Sequence, residues 1–375
     1  MNYFIFPDID TTIYQASGSS NAGLDEILEV QKTMSTSGGN IKVSRILIKF
    51  DINQISSLVS NGTITNPKYY LNMYDANSQN LSTSQSLYAY PISGSWLEGQ
   101  GTANDSPITS EGASWNYRDG ISQKSAWSGS SGENEGGAWY TSSFSSQSFQ
   151  YETSDMRMDV TPIVNKWIAG TFPNEGFIVK RSGSYENIDS NTDEGSKDRL
   201  GNFKFFSRQT HTIYPPKLEV EWFDTKWSTG SLSALSSTEL EDLSFYMKSL
   251  RPKYKEKSKV KFRIVGRGKY PTKSFSNTAS EYLTVKYLPS GSVENIGGDG
   301  TYYSVRDTQT EDVVVPYGTG SLVSCDSTGN YFNLWMNGLQ SERYYRFEFK
   351  IVSGSNTVDE TIQYYDDDFV FKVVR

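Results

Sequence analysis

The sequence predicts an all-β fold divided into two β-sandwich domains, and three observations carry that expectation. At 375 residues the chain is long enough for two cores. Tyr, Phe and Trp make up 14% of it, beside 31 glycines and many Ser, Thr and Asn; aromatic and β-branched residues suit a pleated, half-buried surface, while Gly, Ser and Asn suit turns. Short apolar segments recur along the chain, many alternating at period two, divided by turn-forming clusters.

Taken in order, residues 1–50 predict strands at Tyr3–Phe6, Thr11–Tyr14 and Arg45–Phe50, separated by Asn21-Ala22-Gly23 and Ser37-Gly38-Gly39-Asn40. In the third, Ile46, Ile48 and Phe50 form one inward face. Tyr69–Tyr74 and Ser86–Pro91 predict two more. From Ser93 to Ser148 periodicity is lost among Gly, Ser and Asn, yet this stretch carries Trp96, Trp115, Trp127 and Trp139. A disordered linker is poor in large aromatics, so loops that pack on their own tryptophans are expected.

Met158–Ser182 is the most informative stretch. Val160, Ile163, Val164 and Trp167 recur at helical spacing behind Thr161-Pro162, which predicts a short amphipathic helix plugging a sandwich and bracing the tryptophan-rich loops from beneath. Gly170, Pro173, Asn174 and Gly176 then form a turn into a buried Phe177-Ile178-Val179 strand. Ser184–Arg199 reads as a polar, acidic loop, Phe203, Phe205 and Phe206 follow, and Leu218, Val220 and Trp222 share one face of a closing strand.

Residues 1–223 form the first expected domain, 224–238 a Ser/Thr/Gly-rich linker, and 239–375 the second domain. Segments at Leu243–Met247, Lys259–Val265, Tyr282–Lys286, Tyr302–Asp307, Asp312–Val315, Tyr331–Trp335, Arg343–Ile351 and Asp368–Val374 have the spacing of an immunoglobulin- or fibronectin-III-like sandwich. No internal repeat is visible.

In the first domain a series of short motifs falls in order: Ser44-Arg45-Ile46-Leu47-Ile48-Lys49-Phe50-Asp51, Trp96 with Glu98, Gly112-Ala113-Ser114-Trp115-Asn116, Trp127 with Gly136-Gly137, Asp159-Val160-Thr161 with Trp167, Asn174-Glu175-Gly176-Phe177, and Phe206-Ser207-Arg208 with Pro216-Lys217-Leu218. Together they resemble the DNRLRE domain over most of residues 1–223. The resemblance implies a jelly-roll-like β-sandwich akin to carbohydrate-binding modules. In the second domain, Tyr303-Ser304-Val305-Arg306-Asp307, Val314-Val315-Pro316, the segment from Gly329 to Leu339 and Glu342-Arg343-Tyr344-Tyr345 look like the C-terminal β-domain of structural proteins from tailed phages. The N-terminus has no signal-peptide pattern and no stretch resembles a membrane span, so the expected location is a virion assembled in the host cytoplasm, without membrane contact.

The net charge is −8. From Asp224 onward 19 Lys plus Arg meet 19 Asp plus Glu, so the whole excess lies in residues 1–223. Wrapping nucleic acid by charge alone is thereby disfavoured. Lys248–Lys273 nevertheless holds 11 basic residues and one acid, Glu256. Lys257, Lys259, Lys261 and Arg263 alternate there with apolar residues, which predicts a basic strand face. It could meet packaged DNA or an acidic protein; a solvated face, or an edge strand guarded by lysines, is the plainer expectation.

Catalytic chemistry finds little to work with. His211 is the sole histidine and Cys325 the sole cysteine; neither lies in a nucleophile motif, and a surface loop and a packed thiol are expected. Glu98, Glu111, Glu133 and Glu135 are the carboxylates to test for glycoside cleavage. Asp366-Asp367-Asp368 and Asp8 with Asp10 lack EF-hand spacing, so no metal and no cofactor is expected. Trp96, Trp115, Tyr117, Trp127, Trp139 and Tyr140 are the candidate binding residues, as an interface, as a platform for glycan rings, or as core. The expected function is that of a non-enzymatic structural protein in the tail, baseplate or neck of a phage particle, a homo-oligomer touching other virion proteins; glycan recognition is the alternative.

Overall fold

The computed structural model describes residues 1–34, 41–128, 135–150, 153–183, 194, 199–270, 285–292, 298–354 and 360–375. The Ser37–Asn40 turn, most of the Ser184–Arg199 loop, Glu133, Lys273 and all but the end of the Tyr282–Lys286 segment lie outside these residues. The protein is all-β, and its chain forms two compact units: one of Ile5–Thr63 with Lys68–Val220, the other of Met1–Phe4, Ile64–Pro67 and Glu221–Arg375.

The larger unit is organised around the strand Ile41–Phe50. Pro7–Tyr14 pairs with residues 44–50 of it, Ile27–Met34 with residues 41–43, and Phe177–Lys180 with Ile46–Ile48. Gln85–Pro91 and Ser145–Phe149 extend the sheet beyond Phe177–Lys180, and Gly201–Phe206 flanks Ile27–Met34. All these pairs are antiparallel. In a second sheet Lys68–Met73 lies between Lys217–Glu221 and Met156–Asp159. The sequence offers one inward face for the central strand, but Leu47 is as buried as Ile46 and Ile48. The second face is covered by the tryptophan-bearing loops, a long-range contact that local alternation does not encode.

The short helix forms at Thr161–Ile168, with Pro162 in its first turn where a missing N–H costs nothing. Ile163, Val164 and Trp167 are buried, and the Trp167 ring lies 4.6 Å from that of Phe177. Ile178, the next residue, joins the tryptophan cluster instead. Adjacent strand residues point to opposite faces, so helix and tryptophans sandwich one strand between them, and the bracing acts through the sheet. Ile27–Met34 has no counterpart among the expected strands because its buried face reads Leu28, Val30 and Lys32, all 0% exposed, and the lysine breaks the apolar pattern.

In the smaller unit one sheet runs Leu243–Lys248, Lys259–Gly268, Gly329–Trp335, Ser324–Asp326. The other runs Lys253–Lys255, Val370–Val374, Tyr344–Ser353, Gly300–Asp307, Val313–Val315, and Thr361–Tyr365 also pairs with Tyr344–Ser353. The core between them is aromatic: Phe262 stands edge-on to Phe347 at 4.8 Å, Phe347 stacks on Phe371 at 4.7 Å, and Tyr303 stacks on Phe332 at 4.2 Å. Such ring pairs add to the burial of large apolar area.

Candidate functional site

The tryptophans come first, because they were the leading binding candidates. Trp96, Trp115, Trp127 and Trp139 are at most 5% exposed and form one cluster with Ile13, Val43, Leu47 and Ile178. Trp127 Nε1 donates to the Ser114 carbonyl at 3.0 Å and Trp96 Nε1 to the Glu175 carbonyl at 2.9 Å. A platform of these rings for sugars or partners is therefore ruled out by their burial; their role is to close the core over irregular loops. The loops are pinned by buried Asn21, whose amide donates to the carbonyls of Glu98 at 2.7 Å and Ala113 at 2.9 Å while its oxygen accepts from Gly101 N at 2.8 Å. Gly99, at φ 84°, passes so close that an added Cβ would lie 2.3 Å from the Asn21 oxygen. Tyr117 and Tyr140 are half-buried, and Tyr140 stacks on Phe172 at 4.0 Å. Phe144 is 52% exposed, with its ring 5.9 and 5.7 Å from those of half-buried Tyr88 and Tyr90. Ordinary strand alternation at Ser86–Pro91 hid them.

Under the tryptophans lies a buried ionic group. Arg45, on the central strand, places its guanidinium 4.8 Å from the Trp115 ring and 5.0 Å from Trp139, and donates to both carboxylate oxygens of Glu194 at 3.2 and 2.8 Å. Lys180 reaches the same carboxylate at 3.0 Å. Glu194 belongs to the stretch expected to be a polar, acidic loop, and it is 1% exposed. Low dielectric makes each of these charged hydrogen bonds strong and each unpaired partner costly.

The remaining candidate acids and nucleophiles are dispersed between buried contacts and the open surface. Glu98 is held by Arg208 at 3.1 Å and accepts from Asp10 N and Gln209. Asp10 is buried, and desolvation pushes its carboxyl up to about 7 although Arg208 N donates to it at 2.7 Å. Ser122 donates to Glu111, and Glu135 is exposed. His211 is 93% exposed beside Glu26. Cys325 is buried, which raises its thiol to about 11. Among the described residues no cluster of His, Cys, Asp and Glu could hold a metal ion, and no helix is long and apolar enough to cross a membrane.

The feature with the character of a site is a basic cleft in the smaller unit. In Lys259–Gly268 the alternation places Phe262 and Ile264 in the core and Lys259, Lys261 and Arg263 on the opposite face. The register is decisive. Tyr331–Trp335 pairs with residues 259–263 on one side, whereas Leu243–Lys248 pairs on the other side only with residues 263–268. Among the described residues no strand lies beside Lys259–Phe262 on that second side. The strand is neither wholly central nor a guarded edge. After Lys248 the chain turns through Ser249, at φ 58°, and Lys253–Lys255 joins the other sheet beside Lys372–Val374. The gap is an open cleft of about 770 Å³. Tyr254 and Phe262 contribute to its wall, their rings 5.1 Å apart, and its cations are Lys248, Arg251, Lys253, Lys255, Lys259, Lys261 and Arg263.

These cations divide into two groups. Asp326 accepts from Arg263 at 2.9 and 2.8 Å and from Lys261 at 2.8 Å, and the guanidinium, then the ammonium, hold its carboxyl well below the usual range. Lys248, Arg251, Lys253, Lys255 and Lys259 form no ion pair among the described residues, although Lys259 lies 5.3 Å from the Trp335 ring. Lys257 departs from the expected stripe: the strand begins at Lys259, and Lys257 occupies the preceding turn at φ 59°. Sequence alternation located the basic strand face at Lys259, Lys261 and Arg263. It could not reveal that Asp326, far along the chain, neutralises two of its members. No protein-family model and no curated protein matches the chain.

Proposed function

We propose that this chain is a non-enzymatic structural protein of a tailed-phage particle, in the tail, baseplate or neck, acting through contacts with neighbouring virion proteins and with further copies of itself. The observation that carries this reading is the cleft with five cations that have no ion-pair partner among the described residues. Exposed charge of one sign, set in a concave surface, steers and orients a partner of the opposite sign. Acidic protein surface is at hand in the chain's own residues 1–223, which hold the whole excess of −8. Two all-β units with aromatic cores suit a load-bearing role, and the sequence resemblances point the same way.

The test is the association state of the full chain and its attachment to particle proteins. Sedimentation at low and high salt, with crosslinking in assembled particles, should detect oligomers or particle contacts that Lys253→Glu/Lys255→Glu weakens. A chain that remains monomeric and crosslinks to no particle protein overturns the proposal.

Glycan recognition is a second reading, favoured by exposed Phe144 beside half-buried Tyr88 and Tyr90, since aromatic faces stack on sugar rings. A glycan array probed with wild type and Phe144→Ala decides it: binding lost in the variant supports it, and an array without binding rejects it.

A further inference from the structure

We infer that the basic cleft receives an extended protein segment with alternating acidic and apolar residues, added as a short strand against Lys259–Phe262; this rests on the assembly reading above. Three observations converge. First, among the described residues no strand pairs with Lys259–Phe262 on one side, while the same strand is paired on that side from Arg263 onward. The peptide groups facing the gap form a strand edge of about 13 Å, at roughly 3.3 Å per residue. Second, the edge opens into a cleft rather than onto filled protein. Third, the two sides of the edge differ in chemistry. Neighbouring strands bring side chains of the same face together. A residue of the added strand level with Lys259 would meet an ammonium group without an ion-pair partner among the described residues, and Lys253 and Lys255 supply more from the cleft wall. A residue facing the other way would meet half-buried Val260 and Tyr254.

Main-chain hydrogen bonds would supply affinity, and the alternation would supply selectivity, as in other strand-addition modes. A nucleic acid would use the cations but not the strand edge, which is why a protein segment is the partner the geometry favours.

The probe is a short synthetic peptide alternating Asp and Val, compared by calorimetry on the full chain with three others: the same composition with the Asp and Val residues in separate blocks, the alternating peptide N-methylated on its backbone, and one alternating Lys and Val. Wild type should bind the alternating acidic peptide at least about tenfold more tightly, or about 1.4 kcal/mol, than any of the three. Lys255→Glu/Lys259→Glu, both surface positions, should reverse the preference toward the Lys peptide. Equal binding of the N-methylated or block peptide would reduce the cleft to a charge patch and overturn strand addition. So would tighter binding of a DNA duplex with a steep salt dependence, or no binding of any peptide. Oligomers and particle crosslinks would persist in each of those cases if the assembly reading holds, so the two ideas fail separately.

Discussion

Replacing Glu194 by Gln tests the most consequential contact in the larger unit. The carboxylate takes two hydrogen bonds from Arg45 and lies 3.0 Å from Lys180, and all three side chains are at most 1% exposed. Gln has nearly the same shape but no charge, and its amide group would face cationic donors. Breaking a buried pair from one side leaves uncompensated charge in low dielectric, at about 3–5 kcal/mol. For a unit of this size each kcal/mol moves the midpoint by about 2–4 °C, so a fall of roughly 10 °C is expected. Thermal unfolding followed by tryptophan fluorescence is the assay, since Trp96, Trp115, Trp127, Trp139 and Trp167 all report on this unit. Glu175→Gln is the control. Its partner Lys49 is 2.8 Å away, but the side chains are 30% and 21% exposed, so a loss below about 1 kcal/mol is expected. If Glu194→Gln loses no more than the control, Glu194 is solvated and the buried ionic group is refuted.

Three other outcomes are expected. Trp167→Ala should cost about 3–5 kcal/mol as a buried aromatic truncation, whereas Trp167→Phe should cost clearly less, because the buried indole N–H has no hydrogen-bond partner among the described residues; equal losses in urea titrations would contradict this. Burial raises the folded pKa of Asp10 to about 7, well above the ordinary carboxylate range, so its contribution favours the fold below the unfolded value and is lost as pH rises through about 7, by at most roughly 4 kcal/mol. Asp10→Asn should therefore gain stability relative to wild type between pH 5 and pH 8, and a difference that does not change with pH would count against it. Cys325, buried with a thiol raised to about 11, should resist iodoacetamide at pH 8 in the native protein and react quickly in urea; rapid native alkylation would place it at the surface.

Much of the fold is legible locally. The alternation of Lys259–Arg263 and the helical spacing of Val160 to Trp167 are short-range patterns, and they recur as elements in the structure. The Ile27–Met34 strand was hidden because Lys32 occupies a core position, and a polar residue in a buried row erases the periodicity that would announce it. The candidate site divides in the same way. Its cations were visible as a run, but the open edge depends on where Leu243–Lys248 stops pairing, and register is a property of two strands at once.

By itself the sequence determined the all-β class, the short helix, the basic run and the tryptophan-rich loops, since each follows from spacing and composition within a few residues. Only the tertiary structure decided that the tryptophans face inward, that Glu194 is buried against Arg45, and that Asp326 silences two of the basic residues. Burial and ion pairing join residues far apart in the chain. Arg45 and Glu194 are separated by 149 positions, and composition says nothing about which distant side chain will fill the space or carry the opposite charge.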